Sequence, residues 1–209
     1  MSGFVDFFLA FFIPMFIIVD PLAGLPVFLA ITPHNTADER RRLARRGCLV
    51  AFVVVLFFLF AGPLLIGYFG ITTPAVRICG GILLFVIGLE MIYGRVSGTE
   101  TSPRERRLAA AKEDISITPL AIPLLAGPGA IATVLIFAGK AQGATDYLAL
   151  LLGSAAVFFL SYFFLRQADR LMHWIGILGS TILTRIMGLV LAFLAVQYVI
   201  DGISAVWGG

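Results

Sequence analysis

Six long apolar stretches, at 4–32, 47–69, 75–94, 115–138, 147–165 and 182–206, leave this chain little choice of fold. A helix that crosses a bilayer needs about 20 apolar residues, and each stretch is of that order. The chain is 60% hydrophobic and only 13% charged. A soluble domain carries about 25% charged residues, so there is too little polar surface here to cover a globule. The excess must face lipid. A secreted disulfide scaffold, a disordered chain and a cytosolic enzyme are thereby excluded. The expected class is all-α, a polytopic membrane protein with six transmembrane helices. The longest connector, 95–114, is too short for a soluble domain, so 1–209 reads as a single membrane domain.

The connectors sort by charge. Arg40, Arg41, Arg42, Arg45 and Arg46 lie between spans 1 and 2. Arg95, Arg104, Arg106, Arg107 and Lys112 lie between spans 3 and 4, and Arg166 and Arg170 between spans 5 and 6. These three connectors share one side, where they hold twelve of the fifteen basic residues and seven acidic ones. Arg77 and Lys140 lie on the other side, and Arg185 at the basic-side end of span 6. The positive-inside rule puts the basic side in the cytoplasm and both termini outside, for a multi-pass protein of the cell (inner) membrane. The arginines are divided among three connectors and are not interleaved with exposed aromatics, which argues against nucleic acid as a partner. The first apolar stretch lacks a positive leader and runs too long for a signal peptide, so it counts as a span. Cys48 and Cys79 lie in apolar stretches with no metal-ligand spacing.

A weak internal repeat runs at an offset of about 107. Asp20-Pro21-Leu22-Ala23 aligns with Gly127-Pro128-Gly129-Ala130, and Arg77-Ile78-Cys79-Gly80 with Arg185-Ile186-Met187-Gly188. Each half holds a proline-broken span, a plain span, and a span opening with Arg-Ile-x-Gly. Three spans per half is odd, so the second half, 115–209, is inverted relative to the first, 1–94, as in many secondary transporters.

Span 1 carries Pro14, Pro21 and Pro26; span 4 carries Pro119, Pro123 and Pro128 beside Gly127 and Gly129. Proline removes a backbone donor and clashes with the preceding turn. Three in one span predict a break near mid-membrane, which is tolerated only where protein or a wet cavity surrounds it. Paired breaks in matching positions point to a transport site. Proline favours the first helical position, with Asp or Gly before it as cap. Asp20-Pro21 and Gly127-Pro128 therefore read as starts of second half-helices. Asp20 can fold back on its own amides. Gly127 has no side chain, so the amides of Gly129, Ala130 and Ile131 are expected to stay open to an anion.

A zwitterion would suit this pair, its carboxylate at Gly127–Ile131 and its ammonium at Asp20. Ala23, Gly24, Ala126 and Ala130 leave room for a small side chain. The competing role for Asp20 is a cap alone. Thr118 and Thr133 flank the second break and can donate to a ligand or to freed carbonyls. Glu90 reads either as an interfacial carboxylate beside Arg95 or as a coupling carboxylate for H+ or Na+. Gln197 suits a hydrogen bond between helices. Trp174 and Trp207 suit interfacial anchors. His34 and His173 read as interfacial. No zinc, phosphate-loop or nucleophile-elbow motif occurs, so neither catalytic residues, a metal nor a cofactor is expected.

The stretch Asp20-Pro21-Leu22-Ala23-Gly24-Leu25-Pro26 resembles the first motif of the MarC family of bacterial and archaeal membrane proteins. Thr118-Pro119-Leu120-Ala121-Ile122-Pro123-Leu124-Leu125-Ala126-Gly127-Pro128-Gly129-Ala130-Ile131 resembles its second, which is long and specific. The resemblance implies kinship with SnatA-type transporters of small neutral amino acids such as glycine and alanine. It does not imply antibiotic resistance. It also suggests kinship with LysE-type exporters and with thiol-electron carriers of the CcdA type. The carriers need a cysteine pair at the broken spans, where this chain has none. The reading is therefore a secondary transporter of small neutral amino acids, driven by an ion or substrate gradient. The alternatives are an intramembrane redox carrier and a non-transporting assembly protein. Oligomeric state is not readable, because small-residue faces serve packing within and between chains alike.

Overall fold

The computed structural model describes residues 3–94 and 125–207, which are helical with no strand. The helices are α1 (Phe4–Val19), α2 (Pro21–Ile31), α3 (Ala37–Tyr68), α4 (Thr73–Tyr93), α5 (Pro128–Ala138), α6 (Ala144–Arg166) and α7 (Ala168–Trp207). Five segments are long and apolar enough to cross a membrane: α1 with α2, then α3, α4, α6 and α7. Helix α5 is apolar but shorter, and belongs to the fourth stretch. The connector 95–114, with Arg95 and the other charges counted there, and the first part of span 4, with Thr118, Pro119 and Pro123, lie outside the described residues.

Two helices start well before the apolar stretches that announce them. Helix α3 begins at Ala37 because Thr36 caps it. The Thr36 hydroxyl accepts from the Glu39 amide at 3.3 Å, and the Glu39 carboxylate accepts from the Thr36 amide at 2.8 Å. This reciprocal box satisfies two orphan donors, so the arginines from Arg40 to Arg46 ride on a helix instead of a loop. Helix α7 begins at Ala168 and is broken at Gly176 (φ 68°, ψ 170°), a conformation that only glycine adopts without strain. His173 thus sits on a helix, not in a loop. Hydropathy marks the part of a helix that lies in oil, and helices continue into the polar layer.

Faces are sorted by size. On α3, Leu49, Val53, Phe57, Phe60 and Leu64 are exposed, while Ala44, Cys48, Ala51, Val55, Leu59 and Gly62 are buried. Lipid is as apolar as leucine, so burying a large side chain gains little, whereas small residues let backbones approach. The closest approach joins α4 to α7. A Cβ on Gly81 would lie 2.8 Å from the Ala195 carbonyl, and one on Gly88 would lie 2.9 Å from the Gly188 carbonyl. Gly202 faces the Pro74 carbonyl at 3.1 Å in the same sense. Partner numbers fall along α7 as they rise along α4, so the two run antiparallel. By the same logic α3 and α6 are antiparallel (Phe52 on Phe158, Phe60 on Tyr147), and α1 and α6 are parallel (Phe11 at Gly153, Phe16 on Phe164).

The charges collect at two ends. At one, Arg40 holds both oxygens of Asp169 at 2.8 and 3.0 Å while its Nε donates to the Thr32 carbonyl at 3.0 Å. At the other, the Lys140 ammonium lies 3.9 Å from Asp201 and 4.9 Å from the centre of the Tyr198 ring. Burial, with Arg77 adding to it, holds Lys140 below its ordinary pKa, and Asp201 opposes the shift. Gln197 donates to Asp201 at 2.7 Å, one turn along its own helix, and not to another helix as expected. Trp174 and Trp207 are exposed.

The α4–α7 contact predicts that Gly88→Leu costs about 1–3 kcal/mol through overpacking. Gly67, with nothing within 4 Å, is the control, and Gly67→Leu should cost nothing measurable. Thermal unfolding in detergent separates them, and equal effects would refute the contact.

Candidate functional site

Asp20 joins α1 to α2 and caps both. Pro21 cannot donate to the previous turn and disfavours right-handed helix at the residue before it, so α1 must stop there. Asp20 turns the chain in the left-handed region (φ 37°, ψ 66°), alone among the described non-glycine residues. Its amide donates to the Phe16 carbonyl at 3.1 Å, closing α1. Its Oδ1 accepts from the Ala23 amide at 3.1 Å, opening α2. Aspartate tolerates this conformation better than most residues because its short carboxylate bonds locally.

A second proline needs an outside partner. Pro26 cannot donate to the Leu22 carbonyl one turn back. Ser180 of α7 supplies the missing donor, its hydroxyl 3.0 Å from that oxygen. The bond ties α2 to α7 across 158 residues.

Helix α5 starts beside the end of α1. Phe7 and Phe11 of α1 pack on Phe137, with ring centroids 5.9 and 5.4 Å apart. At the opposite end of the same contact, a Cβ on Gly129 would lie 3.0 Å from Ile18. The helices are therefore antiparallel, and the C-terminus of α1 and the N-termini of α2 and α5 converge. Gly127 is the cap of α5, without a side-chain hydrogen bond, and Pro128 occupies the first turn.

Several expectations are altered here. The Ile131 amide is not open: it donates to the Gly127 carbonyl at 3.2 Å. The carbonyl of a cap residue already accepts the first intrahelical bond, so only the amides of Gly129 and Ala130 precede that ladder. Thr133 is fully buried and its hydroxyl donates to the Gly129 carbonyl at 2.9 Å, which takes up its proton within its own helix. Thr118 lies outside the described residues. Glu90 sits in the last turn of α4, half-buried, three residues beyond Ile87, which meets the start of α5 at Gly129.

Asp20 is 7% exposed, and its Oδ2 has no hydrogen-bond partner among the described residues. Thr184 of α7 turns its buried hydroxyl toward the same carboxylate and is the side-chain donor placed against it. A buried polar atom left poorly satisfied costs about 1–3 kcal/mol, so a carboxylate oxygen served only by this facing hydroxyl has capacity left for a ligand. Thr184 was not legible as a site residue. Its signal is a hydroxyl one turn beyond Ser180 on the face that meets α2. Ala23, Gly24, Ala126 and Ala130 surround the junction with small side chains, and Leu165 of α6 comes within 4.0 Å of where a Gly24 Cβ would be.

The Pro26–Ser180 pairing gives a double-mutant test. Ser180→Ala should cost about 1–2 kcal/mol by orphaning the Leu22 carbonyl. Pro26→Ala restores a donor to that carbonyl, so on this background Ser180→Ala should cost much less. Purely additive losses in thermal unfolding would refute the pairing.

The chain matches the MarC family integral membrane proteins over residues 5–207. The UPF0056 membrane protein YvbG of Bacillus subtilis is 34% identical over 203 residues, covering 97% of this chain and 96% of the relative. The UPF0056 membrane protein YhcE of Escherichia coli is 34% identical over 212 residues, covering 100% and 98%. A UPF0056 membrane protein of Aquifex aeolicus is 36% identical over 211 residues, covering 98% and 95%. No solved structure matches the chain.

Proposed function

The chain belongs to the MarC family of integral membrane proteins, and on that premise we propose that it is a secondary transporter of small neutral amino acids. The observation that carries the reading is the buried Asp20 carboxylate, whose Oδ2 has no well-formed hydrogen bond among the described residues where three helix ends converge. A carboxylate in the membrane interior is expensive and marks a functional site by default. Oδ1 is used in capping α2, and Oδ2 is left for a substrate ammonium, with the Thr184 hydroxyl beside it. The substrate carboxylate is placed at the amides of Gly129 and Ala130, at the positive end of the α5 dipole. Small neighbours restrict the substrate to glycine- and alanine-like side chains.

We further read the fold as two inverted repeats, α1–α4 and the segment ending in α5–α7. The contact pattern supports this. Helix α2 packs on α6 as α5 packs on α3, and α4 packs on α5 as α7 packs on α2. The self-paired contacts, α4 with α7 and α3 with α6, are both antiparallel, as a two-fold axis in the membrane plane requires. Alternating access then rocks one repeat against the other around the junction. An H+ or Na+ gradient is the proposed drive, with Asp20 or Glu90 as the coupling carboxylate. The protein is placed in the cell (inner) membrane with both termini outside.

Uptake of labelled glycine and alanine into proteoliposomes, with and without an imposed pH or sodium gradient, tests the proposal. Asparagine also caps helices and tolerates the left-handed region, so Asp20→Asn should keep the fold. It should cut uptake about tenfold or more, since a hydrogen bond to a charged group is worth about 1.5–3 kcal/mol. Thr184→Val should raise KM more than it lowers kcat. No saturable uptake of any amino acid would reject the transporter reading, and unchanged uptake by Asp20→Asn would reject the ammonium site.

A further inference from the structure

The end of the molecule where α3 starts, α6 stops and α7 starts holds a cleft of about 460 Å3 lined by Arg40, Arg41, Arg166 and Arg170 together with Phe163 and Asp169. We propose that this cleft binds the phosphate headgroup of an anionic phospholipid. The proposal is independent of what the protein transports.

Charge comes first. Arg40 is committed to Asp169 and to the Thr32 carbonyl, and Arg41 pairs with Asp38 at 3.2 Å. Arg166 and Arg170 form no ion pair among the described residues, although both line the cleft and both are exposed. With Arg40 and Arg41 matched by Asp169 and Asp38, the charges of Arg166 and Arg170 leave the pocket net positive. Its volume falls in the range of about 300–1,000 Å3 typical of small-ligand sites. Guanidinium groups present paired donors that match phosphate oxygens, and basic pockets between membrane helices hold lipid headgroups elsewhere.

The apolar wall decides between a lipid and a free phosphate. Phe159 and Phe163 are 68% and 50% exposed and sit one turn apart on α6. They form a stripe that leads from the arginine layer into the hydrocarbon. A headgroup seated on Arg166 and Arg170 can run its acyl chain down this stripe, whereas inorganic phosphate gains nothing from it.

The test uses the full chain purified in a neutral detergent. Native mass spectrometry of the wild-type protein, offered equal phosphatidylglycerol and phosphatidylcholine, should show phosphatidylglycerol retained several-fold more. Phosphatidylglycerol should also raise the unfolding temperature by several degrees relative to phosphatidylcholine, by stabilising the form that binds it. The Arg166→Gln, Arg170→Gln variant should lose both effects, and inorganic phosphate at the same concentration should produce neither. Equal retention of the two lipids by the wild type would overturn the proposal even if the variant failed to fold. So would an undiminished shift in the variant, or a phosphate shift equal to that of the lipid.

Discussion

A proline inside a membrane helix strands a carbonyl, and hydrocarbon offers it no water. Much of this molecule answers that constraint. At Pro21 the answer is to end the helix and let one aspartate cap both sides of the gap. At Pro26 the answer is a serine from the far end of the chain. At Pro128 the helix begins with a glycine cap, so no side chain competes for the first amides. The helix ends converge because α1, α2, α5 and α7 must lie where these exchanges are made. The polar centre of the protein is a by-product of how its backbone is satisfied.

The local part of this was legible in the sequence. The apolar stretches located the helices that cross, and Asp20-Pro21 and Gly127-Pro128 located two helix starts, because a cap and its proline are neighbours in the chain. The long-range part was not. Nothing near Pro26 names Ser180, and nothing near Asp20 names Thr184. The pairing of Arg40 with Asp169 was equally hidden, although charge counting put both connectors on one side. The Ile131 amide was misjudged for a different reason. A helix start read as a row of open donors overlooks that the cap's own carbonyl claims the first donor of the ladder. Gln197 was misjudged because a neighbour one turn away, Asp201, outcompetes any partner on another helix.

Helix α7 spans these features. Near its start Asp169 is clamped by Arg40, near its end Asp201 meets Lys140, and between them Ser180 and Thr184 meet α2 and the Asp20 junction. Gly176 breaks the helix between the clamp and the serine, so the first turns need not follow the rest. The two charged ends of α7 differ in how tightly they are held. At one, a single guanidinium nitrogen, Arg40 Nη1, donates to both Asp169 oxygens, and the other is a longer contact assisted by an aromatic ring.

The sorting of faces by volume has a consequence for what the fold requires of a solvent. In a water-soluble bundle polarity tells a helix which side to bury. Here that information is carried by the glycines and alanines of the seams, and the large side chains outside face lipid without setting which helices pair. The instructions for assembly and the adaptation to the bilayer therefore occupy different residues. An outer coat recast in glutamate, lysine and glutamine would leave the seams of α3, α4 and α7 untouched, so the same bundle is in principle transferable to water.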